Sequence, residues 1–308
     1  MQVSTGKVNT NGVELFYETR GPEQGEPVIF IMGLSAQMVF WPEGLLNALV
    51  ENGYRVIRFD NRDVGMSTHL RVPATHSPLG AMARYFTGLP VRVHYTLHDM
   101  VRDTMGLLDA LGHDSAHFVG ASMGGMISQL SAIHYPERVR SLTSIMSSPN
   151  SRLVPPPKPQ ALKTLVGPRV RIQNVDQYVA FGQDMMRKLG GKLPQDADEI
   201  ETMFRQSWER GLHPRGIRQQ FMAIMGTGSF RKELAKVRAP ATVIHGANDP
   251  LIPLAGGKLS ARHIPGARLH VIAGMGHDLP RVAQDEIVES ILETITRGQQ
   301  ADLAGAPA

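Results

Sequence analysis

Short apolar runs alternate with helical segments along most of this sequence, and this alternation is the strongest constraint on the fold. The runs at 27–33, 54–60 and 115–120 are almost continuously apolar, which is typical of strands buried on both faces of a parallel sheet. Helical patterns at 41–53 and 97–111 lie between them. The order predicts an α/β fold with a mostly parallel sheet and helices on both of its faces.

The alternation stops after one more predicted strand, at 139–148. From 151 to 234 a proline-rich entry leads into segments with helical spacing, and strand patterns return only at 241–246 and 268–274. A final amphipathic helix is predicted near 284–297. The long helical block therefore reads as an insertion into one α/β domain.

These patterns predict the organisation of the chain. Residues 1–150 and 235–298 form the α/β core, and residues 151–234 form the helical insertion. The last residues, 299–308, are expected to be a disordered tail. The segment 69–95 is irregular and rich in Pro and His, and no element is assigned to it.

Composition and charge exclude several classes of protein. The formal net charge of +4 is mild for 308 residues, and the densest basic patches, at 168–173 and 230–238, form no continuous stripe, so a nucleic-acid partner is not expected. The absence of cysteine excludes disulfides, thiolate zinc sites and a cysteine nucleophile. The N-terminus lacks a secretory pattern and no apolar run approaches 18 residues, so we expect a cytoplasmic protein without a membrane span.

A serine stands between two glycines in the stretch Gly120-Ala-Ser122-Met-Gly124, between a predicted strand and a predicted helix. The stretch matches G-x-S-x-G, the nucleophile elbow, whose sharp turn leaves no room for side chains two residues before and after the serine. Such a turn exposes the hydroxyl at a helix N-terminus, where backbone N–H groups stabilise negative charge. Ser122 is the candidate nucleophile, although the five residues alone also fit an ordinary glycine-rich turn.

A serine nucleophile needs a base and an acid that orients the base, and elbow enzymes carry them in the chain order Ser, acid, His. Asp249 follows the penultimate predicted strand, and His277 follows the last one. Both loops open at the carboxyl edge of the sheet, where Ser122 also lies. Asp278 is adjacent to His277 in sequence and is badly placed to orient its ring, so Asp249 is the candidate acid.

Most of the 12 histidines are expected at the surface or in ordinary packing. His245 ends a predicted strand beside the Asp249 loop and is a candidate for supporting that loop. His113 and His117 are four residues apart, but they flank a strand start instead of sharing a helix face, so no metal site is expected. The proposed chemistry needs no metal and no organic cofactor.

Two backbone N–H groups are expected to bind the oxyanion. One belongs to Met123, the residue after the nucleophile. The other comes from the loop after the strand at 27–33, and the N–H of Leu34 is the best candidate.

Taken together, the chain resembles the α/β-hydrolase superfamily, in particular its cap-bearing serine esterases, from about residue 10 to residue 297. The resemblance implies an eight-stranded sheet and a helical cap inserted after the sixth strand, at 151–234. The stretches near 32–42 and 59–68 look most like bacterial carboxylesterases and polyketide methylesterases. The motifs that carry the resemblance are IMGLSAQ (31–37), FDNRDVGMST (59–68), VGASMGG (119–125), HGANDPLIP (245–253) and GMGHDLP (274–280).

Two positions depart from the family pattern. Many relatives have His-Gly before the oxyanion donor, whereas this chain has Met32-Gly33, which keeps the backbone donor but removes a side chain that often supports the loop. In the turn at 60–67, Asp63 replaces a glycine. We interpret that turn as structural and not as catalytic.

The residues and the resemblance favour hydrolysis of carboxylic esters through an acyl-enzyme on Ser122. An aspartate nucleophile, as in haloalkane dehalogenases and epoxide hydrolases, is excluded by Ser122. Lactone hydrolysis, C–C bond hydrolysis and cofactor-free perhydrolase or haloperoxidase chemistry use the same three residues and stay open as alternatives. A non-catalytic ligand receptor is a further alternative of a different class.

The predicted cap should set substrate choice. Methionine and aromatic side chains at helical spacing predict an adaptable apolar wall and an apolar ester substrate. The oligomeric state, monomer or homodimer, is left open. The candidate pocket residues are Phe40, Trp41, Met185, Phe204, Trp208 and Met222.

Overall fold

A computed structural model describes residues 3–166 and 172–305, and within them eight strands form one sheet in the order β1-β2-β4-β3-β5-β6-β7-β8. The first hairpin is antiparallel and β2 joins β4 antiparallel, while the six strands from β4 to β8 run parallel. The predicted fold class is confirmed. In chain order the strands are β1 (Val3–Thr10), β2 (Val13–Arg20), β3 (Pro27–Ile31), β4 (Arg55–Phe59), β5 (Ala116–Ala121), β6 (Val139–Ile145), β7 (Ala241–Gly246) and β8 (Arg268–Ile272).

Helices cover both faces of this sheet. In chain order the α-helices of the described residues are α1 (Glu43–Glu51), α2 (Pro78–Thr87), α3 (Leu97–Ala110), α4 (Met123–His134), α5 (Pro159–Val166), α6 (Val175–Leu189), α7 (Ala197–Glu209), α8 (Pro214–Thr227), α9 (Leu254–His263) and α10 (Gln284–Gly305). None of them is both long and apolar enough to cross a lipid bilayer.

Two hydrophobic cores lie on opposite faces of the sheet because successive strand residues point in opposite directions. On β3, Ile29 and Ile31 pack into the core that contains the buried residues of α3 and α4. Val28 and Phe30 pack into the second core, with the buried residues of α1 and α10. The almost unbroken apolar run of β3 is therefore required, because both of its faces are buried.

The predicted helical block lies between β6 and β7 as α5 to α8. Within it α6 packs against α7, and α8 packs against α2 and α3. The proline at the first turn of α8, Pro214, has no N–H to lose there, which is why a helix begins well at that residue.

Two features were not anticipated from the sequence. The unassigned segment 69–95 contains α2, whose N-cap Ser77 accepts a hydrogen bond from the N–H of Gly80. The expectation of a disordered tail at 299–308 was wrong for 299–305, which continue α10; residues 306–308 lie outside the described residues. The extension is anchored because Gln299 donates to Glu26 and Asp302 pairs with Arg140.

Candidate active site

Ser122 lies at the turn between β5 and α4 with φ +56° and ψ −118°, a backbone conformation that non-glycine residues rarely adopt. Neighbouring groups hold this strained turn in place. The Ser122 N–H donates to the carbonyl of Ile145 at 2.9 Å, and the Ser147 hydroxyl donates to the Ser122 carbonyl at 2.7 Å. The surroundings thus fix the conformation that turns the hydroxyl toward the open edge of the sheet.

The two flanking glycines are required by close backbone contacts. A Cβ at Gly120 would lie 2.2 Å from the carbonyl oxygen of Gly124, and a Cβ at Gly124 would lie 1.9 Å from the carbonyl oxygen of Ile31. Both distances are far below van der Waals contact. The opposing atoms belong to backbone and cannot rotate away, so neither position accepts alanine without displacement of the turn.

His277 and Asp249 complete a hydrogen-bonded chain with Ser122. The distance from His277 Nε2 to Ser122 Oγ is 3.0 Å, and that from His277 Nδ1 to Asp249 Oδ2 is 2.7 Å. His277 and Asp249 follow β8 and β7, so the carboxyl ends of β5, β7 and β8 supply one residue each. In this arrangement Asp249 selects the tautomer that carries its proton on Nδ1 and leaves Nε2 free to accept the serine proton.

The Asp249 carboxylate is fully buried and is satisfied by several donors. Its Oδ1 accepts the N–H groups of Leu251 and Ile252, each at 2.8 Å. His245 lies behind it, with Nε2 2.8 Å from the Ile252 carbonyl and 3.6 Å from Asp249 Oδ2. Burial lowers the pKa of His245, which favours the neutral ring. His245 therefore supports the Asp249 loop through the Ile252 carbonyl and not as a cation.

Two backbone N–H groups lie near Ser122, those of Met123 and Leu34. Met123 is the first residue of α4, so its N–H has no acceptor within the helix. Leu34 comes directly after Gly33. The backbone of Gly33 lies so close to Ser122 that a Cβ at Gly33 would be 2.9 Å from the serine Cβ. Among the described residues no protein acceptor is found for the Leu34 N–H. This arrangement can provide two donors to an oxygen that develops negative charge beside Ser122.

The loop after β3 is held by buried side chains from elsewhere in the chain. Gln37 donates from Nε2 to the carbonyls of Ser207 and Gly211 at 3.0 and 2.9 Å, and accepts from Arg210. Arg210 also forms an ion pair with the fully buried Asp60. The second carboxylate oxygen of Asp60 accepts the N–H of Met38 at 2.8 Å. The turn that begins at Asp60 thus ties the loop to the end of α7, in agreement with its interpretation as structural.

A cavity of about 1080 Å³ opens beside Ser122, between the sheet edge and the helices that follow β6. Three of the candidate pocket residues, Phe40, Met185 and Phe204, line it, and Phe40 packs edge-on against Phe204 with ring centroids 5.1 Å apart. Its other methionines were not predicted individually. They are Met32, Met82, Met123, Met126, Met146, Met186, Met203 and Met225.

The other three predicted pocket residues lie elsewhere. Trp41 is buried in the core, edge-on to Phe30 with centroids 5.0 Å apart. Met222 points from α8 into a small cluster with Ala81. Trp208 is not among the lining residues and packs behind the cavity wall against Tyr178, which does line the cavity, with ring centroids 5.8 Å apart. Helical spacing identified apolar residues correctly but did not distinguish packing between helices from the cavity wall.

Comparison with known proteins places this geometry in context. A family model described as alpha/beta hydrolase fold matches residues 26–280. The rhodomycin D methylesterase of Streptomyces peucetius is 26% identical over 306 residues, covering 93% of this chain and 96% of the relative. The non-heme chloroperoxidase of Kitasatospora aureofaciens is 27% identical over 285 residues, covering 90% and 93%.

A solved structure supports the fold independently of the sequence. The enol-lactonase from Burkholderia xenovorans superposes with a TM-score of 0.69 at 22% identity, over 94% of this chain and 100% of that chain. Similarity at this level of identity concerns the fold alone.

Proposed function

Since the chain belongs to the α/β-hydrolase fold family, we propose that it hydrolyses carboxylic esters through an acyl-enzyme on Ser122. The observation that carries the proposal is the continuous hydrogen-bonded chain from the Ser122 hydroxyl through His277 to Asp249. Serine attacks esters only when a base accepts its proton and an acid orients that base, and in this proposal His277 is the base and Asp249 the acid.

In the proposed reaction, His277 Nε2 takes the proton as Ser122 Oγ attacks the ester carbonyl carbon. The N–H groups of Met123 and Leu34 bind the resulting oxyanion. Collapse of the tetrahedral intermediate breaks the C–O bond, and the alcohol leaves with the proton from His277. Water then attacks the acyl-enzyme by the reverse sequence, giving the carboxylic acid and free Ser122.

The cavity favours a large, neutral, apolar ester. Its fixed cations among the described lining residues are Lys163 and Lys188, and Lys188 is paired with Asp184. A dicarboxylate substrate would need stronger compensation, so ester hydrolysis fits better than cleavage of C–C bonds in dioates. The helices α5 to α8 act in this proposal as the cap that encloses the substrate. The similarity to a methylesterase supports the same choice.

A second candidate, peracid formation, is supported by the similarity to a non-heme chloroperoxidase. In that reaction hydrogen peroxide replaces water in the attack on the acyl-enzyme, and the acyl group leaves as a peracid. The same residues serve both reactions. The size of the cavity favours the ester reaction, since a short carboxylic acid would leave most of it empty.

The test is hydrolysis of p-nitrophenyl esters from acetate to palmitate by the native protein and by Ser122→Ala. We expect the native protein to prefer medium or long acyl chains and Ser122→Ala to lose at least about a thousandfold in kcat. Ser128→Ala is the matched control, because Ser128 lies on the same helix and, within the described part of the chain, its hydroxyl donates to the Gly124 carbonyl alone. Activity that survives in Ser122→Ala would contradict the proposal.

A further inference from the structure

The helix α2 carries apolar side chains on two faces, one of them buried and the other partly exposed. Ala81 and Tyr85 are buried, and α2 packs against α8. Leu79, Met82 and Phe86 are three and four residues apart, so they follow one another along a different face. Met82 and Phe86 line the cavity, while Leu79 is 64% exposed. The outer face of α2 thus runs from the cavity mouth into solvent.

The segment that follows β6 extends this apolar surface. Leu153 is 68% exposed, and the residues after it, from Val154 to Pro157, line the cavity. The guanidinium of Arg152 lies 5.3 Å from the centre of the Tyr85 ring, which places this segment directly beside α2. We define the apolar rim as the exposed side chains Leu79 and Phe86 on α2, Leu89 just after α2, and Leu153 after β6.

The same two segments are basic and contain no acid. The sequence has no Asp or Glu at 69–95 or at 151–175. None of their described cations forms an ion pair with the described part of the chain. Of the two acids among the described lining residues, Asp184 is already paired with Lys188 and Arg187, and Asp278 is buried. The described cations are Arg71, Arg84, Arg92, Arg152, Lys158 and Lys163.

We propose that the apolar rim docks on the surface of an anionic lipid membrane. Exposed leucine and phenylalanine side chains enter the boundary between headgroups and acyl chains, while unpaired cations are attracted to anionic headgroups. A second copy of this chain is a poor occupant, because face-to-face contact would bring two acid-free basic surfaces together. A bilayer supplies both the apolar phase and the opposite charge.

Docking at the rim would bring the cavity mouth to the membrane surface. Phe86 belongs both to the rim and to the cavity lining, so the cavity mouth would open toward the lipid. An apolar ester dissolved in the membrane could then reach Ser122 without crossing water. The docking itself goes beyond the proposed hydrolysis and does not depend on it, since none of the rim residues takes part in the chemistry.

The test is co-sedimentation with vesicles of phosphatidylcholine, with and without phosphatidylglycerol, using Ser122→Ala so that the lipid is not hydrolysed. We expect binding to the anionic vesicles that falls with added salt. The pair Leu79→Ser and Leu153→Ser, and the pair Arg92→Glu and Lys158→Glu, should each bind at least about tenfold more weakly.

Two control variants replace the same number of exposed apolar or basic side chains outside the proposed docking surface. Val282, which is 61% exposed, and Leu303 are replaced by serine in one control, and the exposed Lys232 and Lys258 by glutamate in the other. Both controls should bind like the parent protein, and in the active protein the Leu79 and Leu153 pair and the Arg92 and Lys158 pair should hydrolyse soluble esters as before. Vesicle binding does not require ester hydrolysis. A protein that hydrolyses esters without binding vesicles, or binds vesicles without hydrolysing esters, therefore contradicts one proposal and not the other.

Three results would overturn the proposal. One is no binding to the anionic vesicles at low salt. Another is equal loss of binding in rim and control variants. The third is a dimer in analytical ultracentrifugation that only the Leu79 and Leu153 pair disrupts, which would assign the rim to contact between two copies of this chain.

Discussion

Gln220 accepts a hydrogen bond from the backbone N–H of Ser35 through Oε1 at 2.9 Å, and so joins α8 to the loop after β3. Its Nε2 donates to the Arg62 carbonyl at 2.8 Å, and the side chain is fully buried. Ser35 has φ +66°, a conformation that a serine keeps only when neighbours hold it. Because Leu34 precedes Ser35 directly, Gln220 positions a proposed oxyanion donor.

Replacement of Gln220 by leucine should therefore lower kcat roughly ten- to a hundredfold with little change in KM, since the donor acts in the transition state. The matched control is Gln219→Leu, because Gln219 is also largely buried and its side chain makes, among residues 3–166 and 172–305, a single long hydrogen bond, 3.5 Å, to the Val72 carbonyl. Steady-state kinetics of both variants on one ester, with thermal unfolding alongside, measure the effect. Equal losses in the two variants would show that the effect is general destabilisation.

Substitution of the two neighbouring carboxylates of the site, Asp249 and Asp278, should have very different effects on kcat. Asp249→Asn removes the acceptor that fixes the His277 tautomer, and kcat should fall by about 10⁴. Asp278 accepts instead from the Gly276 N–H and from Gln195, and burial raises its pKa. Asp278→Asn should change kcat by less than about tenfold. A large loss in Asp278→Asn with a small one in Asp249→Asn would reverse the assigned roles.

Features that depend on neighbouring residues were predictable from the sequence. Strands buried on both faces and the elbow glycines are local patterns with a direct physical cause. Contacts across long sequence separations were not predictable where no motif marks the two residues, unlike the contact of Ser122 with His277. Gln220 and Ser35 are 185 residues apart, and nothing near either residue indicates that they meet.

The same limit explains the errors at individual positions. Phe40 and Trp41 are adjacent and similar in character, yet Phe40 faces the cavity and Trp41 lies in the core against Phe30. The tail at 299–305 is helical because Gln299 and Asp302 contact residues near the start and middle of the chain. The partner of Phe40 in the cavity wall is Phe204, and that of Gln299 is Glu26, so in both cases a partner lies far away in sequence.

Elbow geometry can be tested through its glycines. Gly124→Ala places a methyl group against the Ile31 carbonyl oxygen, and the free energy of unfolding should fall by about 1–3 kcal/mol, with loss of activity. Gly44→Ala is the matched control, because Gly44 lies within α1 and its added Cβ meets only the flexible Gln284 side chain at 3.2 Å. That variant should be neutral or slightly more stable. Chemical denaturation of Gly124→Ala and Gly44→Ala, compared with the native protein, measures the two changes in the free energy of unfolding.

A buried histidine away from the site should make the fold sensitive to acid. His117, on β5, is fully buried between Ser141, whose hydroxyl oxygen lies 2.8 Å from Nδ1, and Glu26, 3.2 Å from Nε2. Burial lowers its pKa from 6.5 to about 4. Since the unfolded chain binds the proton more readily, the stability present above pH 6.5 is lost as the pH falls toward 4.

Between pH 7 and pH 5 this one residue should reduce the free energy of unfolding by about 2 kcal/mol. His117→Asn should be less stable at pH 7, because it loses packing and a hydrogen bond, but should lose less stability on acidification. The Glu26 carboxylate contributes to acid sensitivity only as the pH falls below 4.5, since its hydrogen bond from Gln299 holds its pKa below that usual value despite burial. Urea unfolding of the native protein and His117→Asn at pH 7 and pH 5 measures the His117 contribution, and extending the series to lower pH with Gln299→Ala measures that of Glu26. An identical change with pH in the native protein and in His117→Asn would show that His117 is not the titrating group.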